Sequence, residues 1–364
     1  MGFSDIIGQE HAIMQLKKSI VENEVHHALL FMGQSGIGKR LTAISYAKAL
    51  NCLDEEAAGS GDFCDKCRSC TMINIGQHPD VRLLTPETTG DKTVISIDAI
   101  RTKSGETPPH PLPLREDAAL KPLEGRKKVY IIDPANRPGL QEEAGNALLL
   151  TLEEPPLNVV IILISSRPSA MLQTLVSRCY PLKFNLVKTD DIIKRISDII
   201  DNVNEQNVIA AIANGTIGSA IEMAENPHLL NIRQELISEM TRLLPAGIGM
   251  ALALGAVSKK LASEVDTKER KNDTADRKVR RGIPIICDII SSILRDMLAI
   301  KSGCDKRHLM NVDIAVHLDN LNELYHEEKI YFALDSVNKT KYYIERNANI
   351  DLTLENMWAD ILLI

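Results

Sequence analysis

The sequence predicts a parallel α/β domain over residues 1–185 and an all-helical remainder. Three observations predict it. Short β-branched runs alternate with amphipathic stretches as far as Phe184 and then fade. A glycine-rich loop from Gly33 to Lys39 follows the first run and opens a helical stretch. From Thr189 onward nearly every segment carries the 3–4 spacing of helices.

The first run, residues 27–32, ends in Leu29-Leu30-Phe31-Met32. The second is Val81-Arg82-Leu83-Leu84, and the third covers 128–133 and ends at Asp133. Val159 to Ile164 forms the fourth, and residues 180–184 a weaker fifth. Short continuous runs of this kind are what strands covered on both faces look like, and helical patterns between them make βαβ units. Residues 102–119 carry Pro108, Pro109, Pro111 and Pro113 and read as an extended loop. Turn signals at 213–218 and 225–228 divide the helical half into a small domain, 186–228, and a larger one, 229–364. In the latter, Ile283, Ile286, Ile289, Ile290 and Ile293 make a seam that serves either the domain's own core or a partner. Residues 259–281 hold nine basic and five acidic side chains, the mark of a solvated helix face or loop; the mixed sign weakens a nucleic-acid reading.

With 42 Lys+Arg against 49 Asp+Glu the net charge is −7, which argues against a stand-alone nucleic-acid binder. Hydrophobic residues at 44% and charged residues at 25% are a globular mix, and aromatics at 4% favour aliphatic helix packing. No apolar run reaches the ~18 residues of a membrane helix. The first residues lack a signal peptide's basic and apolar regions, so the expected location is cytoplasmic and no membrane contact is expected.

Gly33-Gln34-Ser35-Gly36-Ile37-Gly38-Lys39 has the G-x-x-x-x-G-K spacing of a P-loop. Its glycines let backbone N–H groups face a phosphate, the helix N-terminus adds a positive dipole end, and Lys39 can reach the outer phosphates. A Ser or Thr should follow and ligate Mg²⁺; the residue is Arg40, which cannot. Asp133 stands where a Walker B carboxylate would help hold the metal. After it, Pro134 takes the place of a base that could orient water. No ATP hydrolysis by the chain itself is expected. Binding of ATP without turnover stays open.

Cys52, Cys64, Cys67 and Cys70 are spaced C-x11-C-x2-C-x2-C. In a reducing compartment four clustered thiols read as a closed tetrahedral Zn²⁺ site that folds a small module over about 52–70. His78 is left out, because the four thiols suffice. Cys179, Cys287 and Cys304 are scattered and read as small core residues.

Val176-Ser177-Arg178-Cys179 closes the helical stretch before the fifth run. An Arg at that domain edge serves either as a helix C-terminal cap or as a guanidinium offered in trans to a neighbour's phosphates.

The ordered set of motifs carries a resemblance. Residues 3–9, Phe3-Ser4-Asp5-Ile6-Ile7-Gly8-Gln9, precede the P-loop, and the cysteine module follows it. Leu123-Glu124-Gly125-Arg126 comes before the Walker B strand. Asn146-Ala147-Leu148-Leu149, Leu152-Glu153-Glu154-Pro155-Pro156 and Ser177-Arg178-Cys179 come after it. Over residues 3–185 the chain resembles the clamp-loader branch of AAA+ proteins, and within it a non-motor subunit of bacterial DNA polymerase III. The resemblance implies an α/β P-loop AAA+ domain with a zinc module, a small helical lid at 186–228 and an all-α collar at 229–364 that oligomerises. It implies gamma/tau and delta subunits as partners, and access through the complex to the sliding clamp and primer–template DNA during replication. It makes Arg178 the finger offered to a neighbouring gamma/tau ATP site, framed by Ser177 and Cys179.

Arg40, Pro134 and Ser219, the last standing where ATPase relatives carry a sensor Arg, depart from the motor subunits. An active gamma/tau-like ATPase is the alternative they speak against. A P-loop kinase lacks support in the long helical half and would need the missing Mg²⁺ ligand. A zinc-finger DNA reader fails on net charge and on the brevity of the cysteine loop.

Overall fold

The computed structural model describes residues 2–89, 92–102, 111–136, 139–226, 228–265, 274–305 and 309–363. The chain divides into two compact units, residues 1–191 with 216–218, and residues 192–215 with 219–364.

The first unit is built on five parallel strands: β1 (Ala28–Met32), β2 (Val81–Leu84), β3 (Lys128–Ile132), β4 (Val159–Ser165) and β5 (Tyr180–Lys183). They lie in the order β2-β3-β4-β1-β5. Register pairs are Leu30 with Leu163, Phe31 with Leu182, Tyr130 with Ile161 and Leu83 with Ile131. The central strands β1, β3 and β4 are buried nearly throughout, whereas β2 and β5 are edges with more polar sequences. This is why the fifth run reads more weakly.

Alternate residues feed two cores. Leu29, Phe31, Val129, Ile131 and Ile162 point into one with Leu16 of α1 (Glu10–Val21) and Ala43 and Tyr46 of α2 (Lys39–Asn51). Leu30, Tyr130, Ile132, Ile161 and Leu163 point into the other with Ala144, Leu148 and Leu152. These three belong to α4 (Glu142–Glu153), which follows the short α3 (Arg68–Asn74) of the cysteine module. Each fully buried Leu or Ile contributes about 1.5–3 kcal/mol.

Two local features depart from the sequence expectation. Glu87–Thr89 and Lys92–Val94 form an antiparallel hairpin after β2. The proline-rich stretch is not extended throughout: Leu114–Ala118 is a helical turn that buries Leu114 and Ala118. The remainder of that stretch at 103–110 lies outside the described residues, as do 266–273 of the charged run.

After α5 (Gln173–Val176) and α6 (Thr189–Ile196) the chain is helical. The elements are α7 (Val203–Ala213), α8 (Ile217–Glu225), α9 (His228–Leu243), α10 (Ala251–Val265), α11 (Ala275–Lys301), α12 (Ala315–Leu324), α13 (Glu327–Glu345) and α14 (Ile350–Leu362). Asn202, Thr274 and Asn349 cap α7, α11 and α14 with side-chain acceptors. The isoleucine seam of α11 lies in this unit's own core, with Leu254, Leu261, Trp358 and Ile361. Trp358 Nε1 donates to Ser258 Oγ at 2.9 Å, so the one tryptophan is buried with its polar atom satisfied. At Gly282 an added Cβ would lie 1.9 Å from the carbonyl oxygen of Ala262, so α10 and α11 approach backbone to backbone. Among the described residues no helix is long and apolar enough to cross a membrane.

Candidate functional site

The phosphate loop leaves β1 between β4 and β5, where the connection from β1 runs to one edge of the sheet, at β2, and that from its neighbour β4 to the other, at β5; ligands of open α/β sheets bind at such a point. Gly33, Gly36 and Gly38 all have positive φ, at 150°, 79° and 96°. A Cβ at Gly33 would sit 2.6 Å from both Ile37 Cδ1 and the Phe184 carbonyl oxygen, so only glycine lets the loop leave the strand here. Gly38 is the N-cap of α2, and Thr42 returns to its carbonyl through both N and Oγ1 at 2.9 Å. Gly218 N donates to the Gly36 carbonyl at 2.7 Å.

A residue whose role is not evident from its position in the chain braces the loop. Gln9 is buried at the N-cap of α1. Its Nε2 donates to the carbonyls of Ile37 (3.2 Å) and Asn185 (2.7 Å), and its Oε1 accepts from Asn185 N at 3.0 Å. It therefore ties the phosphate loop to the segment leaving β5. A glutamine ahead of an apolar helix, within the motif that precedes the P-loop, is the signal that could have found it.

Lys39 is buried, and its ammonium donates to the Gly33 carbonyl at 2.6 Å and to that of Gln34. Burial lowers its pKa to about 8, with Asp133 pulling the other way. Arg40 Nε donates to Asp133 Oδ2. The Arg40 side chain is 51% exposed and that of Asp133 only 15%, so the partly sheltered carboxylate of the third strand is met by a half-exposed guanidinium. This donor set does not fit Mg²⁺: there is no hydroxyl at position 40, and the carboxylate is engaged by a fixed cation. Pro134, next along, supplies no base.

The four cysteines converge. Their Sγ atoms all lie within 4.8 Å of one another, and Cys52 and Cys64 are 3.7 Å apart. Thiolates around a tetrahedral Zn²⁺ at about 2.3 Å would be about 3.8 Å apart, so the donor set fits that ion. Cys52 ends α2, and Cys67 is the N-cap of α3. Backbone N–H groups of Cys64, Cys67 and Cys70 donate to the sulfurs of Cys52, Cys64 and Cys67 at 3.4, 3.2 and 3.5 Å. Burial pushes the thiols of Cys52 and Cys70 up; it opposes ionisation of Cys67 too, but backbone donors bring that thiol down to about 7. Four touching thiols cannot all ionise alone, and a divalent cation removes that conflict. His78 lies elsewhere: Nε2 meets Ser69 Oγ at 3.1 Å and Nδ1 accepts from Asp80 N at 3.1 Å.

Asp80, buried beside it, accepts from the backbone N–H groups of Leu123 (2.8 Å), Glu124 (2.8 Å) and Gly125 (2.7 Å). Asn51 Oδ1 takes the N–H of Lys127 at 2.9 Å. The run from Leu123 to Arg126 is thus a captured turn that joins the cysteine module to β3. Its partners lie more than forty residues away in sequence, which hid the role of Asp80.

Arg178 follows α5. Its Nη2 meets Glu153 Oε1 of α4 at 2.6 Å, and its Nη1 donates to the Thr174 carbonyl at 3.1 Å. Its side chain is 37% exposed. Ser177 Oγ also donates to Thr174 O, at 3.2 Å, and Cys179 is buried with its thiol pushed up to about 12. Ser219 lies on α8.

A parallel five-strand sheet carrying a P-loop, a four-cysteine module compatible with zinc and a helical C-terminal unit define a P-loop α/β protein. Comparison with known proteins goes further. Residues 8–188 match the family model described as DNA polymerase III, delta subunit, and residues 281–361 match DNA polymerase III, delta subunit, C terminal. DNA polymerase III subunit tau of Bacillus subtilis is 28% identical over 93% of this chain and 57% of its own length. DNA polymerase III subunit delta' of the same organism is 30% identical over 63% of this chain and 63% of its own length. A DNA polymerase III gamma-subunit-related protein of Thermotoga maritima, solved as a crystal structure, covers 96% of this chain and 97% of its own at 16% identity, with a TM-score of 0.45. The chain belongs to the clamp-loader family of DNA polymerase III subunits. It spans about three fifths of the length of the two curated relatives named here.

Proposed function

We propose that this chain is a delta-prime-type, non-motor subunit of the DNA polymerase III clamp loader. It assembles with gamma/tau and delta subunits, helps place the sliding clamp on primer–template DNA, and offers Arg178 to a neighbouring gamma/tau ATP site. The observation that carries this reading is the Arg40–Asp133 pair, which uses up the carboxylate a motor subunit needs for its metal. Pro134 removes the adjacent base. The tau and delta' relatives both resemble the chain, so these residues, rather than overall similarity, favour the non-motor role.

Arg178 supports the reading through its setting. Its ion pair with Glu153 is a partly exposed one, and such pairs are worth about 0–1 kcal/mol. Exchanging that carboxylate for a neighbour's phosphate oxygens therefore costs little. Residues 186–228 serve as the lid and 229–364 as the collar that holds the ring together. Zn²⁺ at Cys52, Cys64, Cys67 and Cys70 is structural, because a closed four-thiolate shell leaves no open position for substrate.

The test is ATP hydrolysis by the complex reconstituted with gamma/tau, delta, the sliding clamp and primed DNA. Wild type is compared with Arg178→Ala after gel filtration has established equal assembly. Loss of ATPase with assembly intact is the expected result. An unchanged rate would leave Arg178 a helix cap, and failure of the wild type to assemble would refute the whole assignment.

A further inference from the structure

We infer that the phosphate loop takes a nucleoside polyphosphate without a divalent cation, with the Arg40 guanidinium standing where an active P-loop holds its metal. Three observations carry this. The cradle keeps its form: Gly33, Gly36 and Gly38 hold positive φ, and Gln9 fixes the loop from behind. Lys39 is buried within it, its ammonium resting on the carbonyls of Gly33 and Gln34, from which it can transfer to phosphate oxygens. Arg40 gives only its Nε to Asp133, and among the described residues no partner takes its two terminal nitrogens. Those nitrogens form a planar fork suited to two phosphate oxygens at once.

The charge arrangement agrees. In an active site Mg²⁺ bridges the outer phosphates and is held by a hydroxyl and a carboxylate. Here the same carboxylate, Asp133, holds a side-chain cation, so Lys39 and Arg40 together leave a positive surplus without any ion from solution. What this arrangement omits is the metal's second task of polarising the phosphoryl group and positioning its attack. The site is therefore one of binding without turnover. This inference concerns the chain alone and fails or stands independently of Arg178 and of the complex.

The probe is a fluorescent N-methylanthraniloyl-ADP titrated into the purified full chain, with Mg²⁺ or in buffer freed of divalent cations over a chelating resin. No soluble chelator is used, so the cysteine module keeps its metal. The expected result is one affinity in both buffers, within about twofold, lost in Lys39→Ala. Arg40→Thr should make binding depend on Mg²⁺ by about tenfold or more. Asp133→Asn frees the guanidinium and should tighten metal-free binding, whereas at a metal site it would weaken binding. Circular dichroism checks that each variant is folded. Wild-type binding that requires Mg²⁺ would overturn the inference. So would the absence of binding in both buffers, which would leave the Arg40–Asp133 pair as a lock on an unused loop.

Discussion

Arg40 and Asp133, 93 residues apart in sequence, are bonded to each other through Nε and Oδ2. One comes from the first turn of the helix after the phosphate loop and the other from the end of β3. In a working P-loop those two places share a metal ion. Here the guanidinium and the carboxylate are bonded to each other, while the glycines of the loop keep their positive φ.

The first expected outcome is an absence of turnover. The isolated chain should release no phosphate from ATP beyond the background of Lys39→Ala. Arg40→Thr should stay equally silent, because Pro134 still offers no group to orient water. Phosphate release by Arg40→Thr that disappears when Lys39 is also replaced would show that the pocket lacks only its metal ligand.

The cysteine module should carry about one Zn²⁺ per chain when measured by elemental analysis of freshly purified protein. Cys70→Ser, at a buried position beside the other three sulfurs, should lose that metal and lower Tm by about 5 °C or more. Metal-free protein with the wild-type Tm would refute the structural role.

Asp80 sets a pH dependence. Burial alone would raise its pKa, but the N–H groups of Gly125, Leu123 and Glu124 and the nearby Lys128 outweigh it and hold the carboxyl below its ordinary value. A carboxylate depressed in the folded state contributes stability that is fully present above its unfolded pKa of about 3.9 and is lost as pH falls through the lower, folded value. Asp80→Asn keeps the shape but turns an N–H₂ toward backbone donors. It should cost about 1–3 kcal/mol at neutral pH and move the acid-unfolding midpoint to higher pH. An unchanged midpoint would place the capture of the turn at 123–125 elsewhere.

Two glycines in the helical unit offer an opposed pair. Gly282→Ala places a methyl 1.9 Å from the Ala262 carbonyl and should destabilise by about 2 kcal/mol or more, since the backbone must give way. At Gly255 the nearest atom to an added Cβ is Glu355 Cγ at 3.5 Å, an ordinary contact. Gly255→Ala should therefore gain about 0.5–1 kcal/mol of helix stability. Chemical denaturation of both variants checks the sign of each; equal effects would contradict the close crossing of α10 and α11.

The features that proved legible in sequence are those written locally. β1, β3 and β4 could be read because a strand covered on both faces must be apolar at successive positions. The phosphate loop and the cysteine spacing could be read because glycine φ and thiolate geometry demand those residues at those intervals. The hairpin from Glu87 to Val94 was not legible: its strands are three residues each and polar, too short for a period to show. Leu114–Ala118 was masked by the prolines before it, although proline just ahead of a helix is compatible with its start. The Arg40–Asp133 pair and the turn held by Asp80 were out of reach for a different reason. Each joins single polar residues across long stretches of chain, and composition and spacing carry no trace of such pairings. The substitution at position 40 showed what was missing, but only the fold shows what the arginine does instead.

Helix α2 begins at the phosphate cradle, where Gly38 caps it, and ends at Cys52 among the sulfurs. Its thirteen residues make a rod about 20 Å long with a binding loop at one tip and a metal-type cluster at the other. A helix clamped at both ends frays less than one held only at its start, so ligation of Cys52 by a metal would lend rigidity to the whole span up to Lys39. Depleting the metal should then be felt at a distance, as faster amide exchange along α2 and a slacker grip on phosphate.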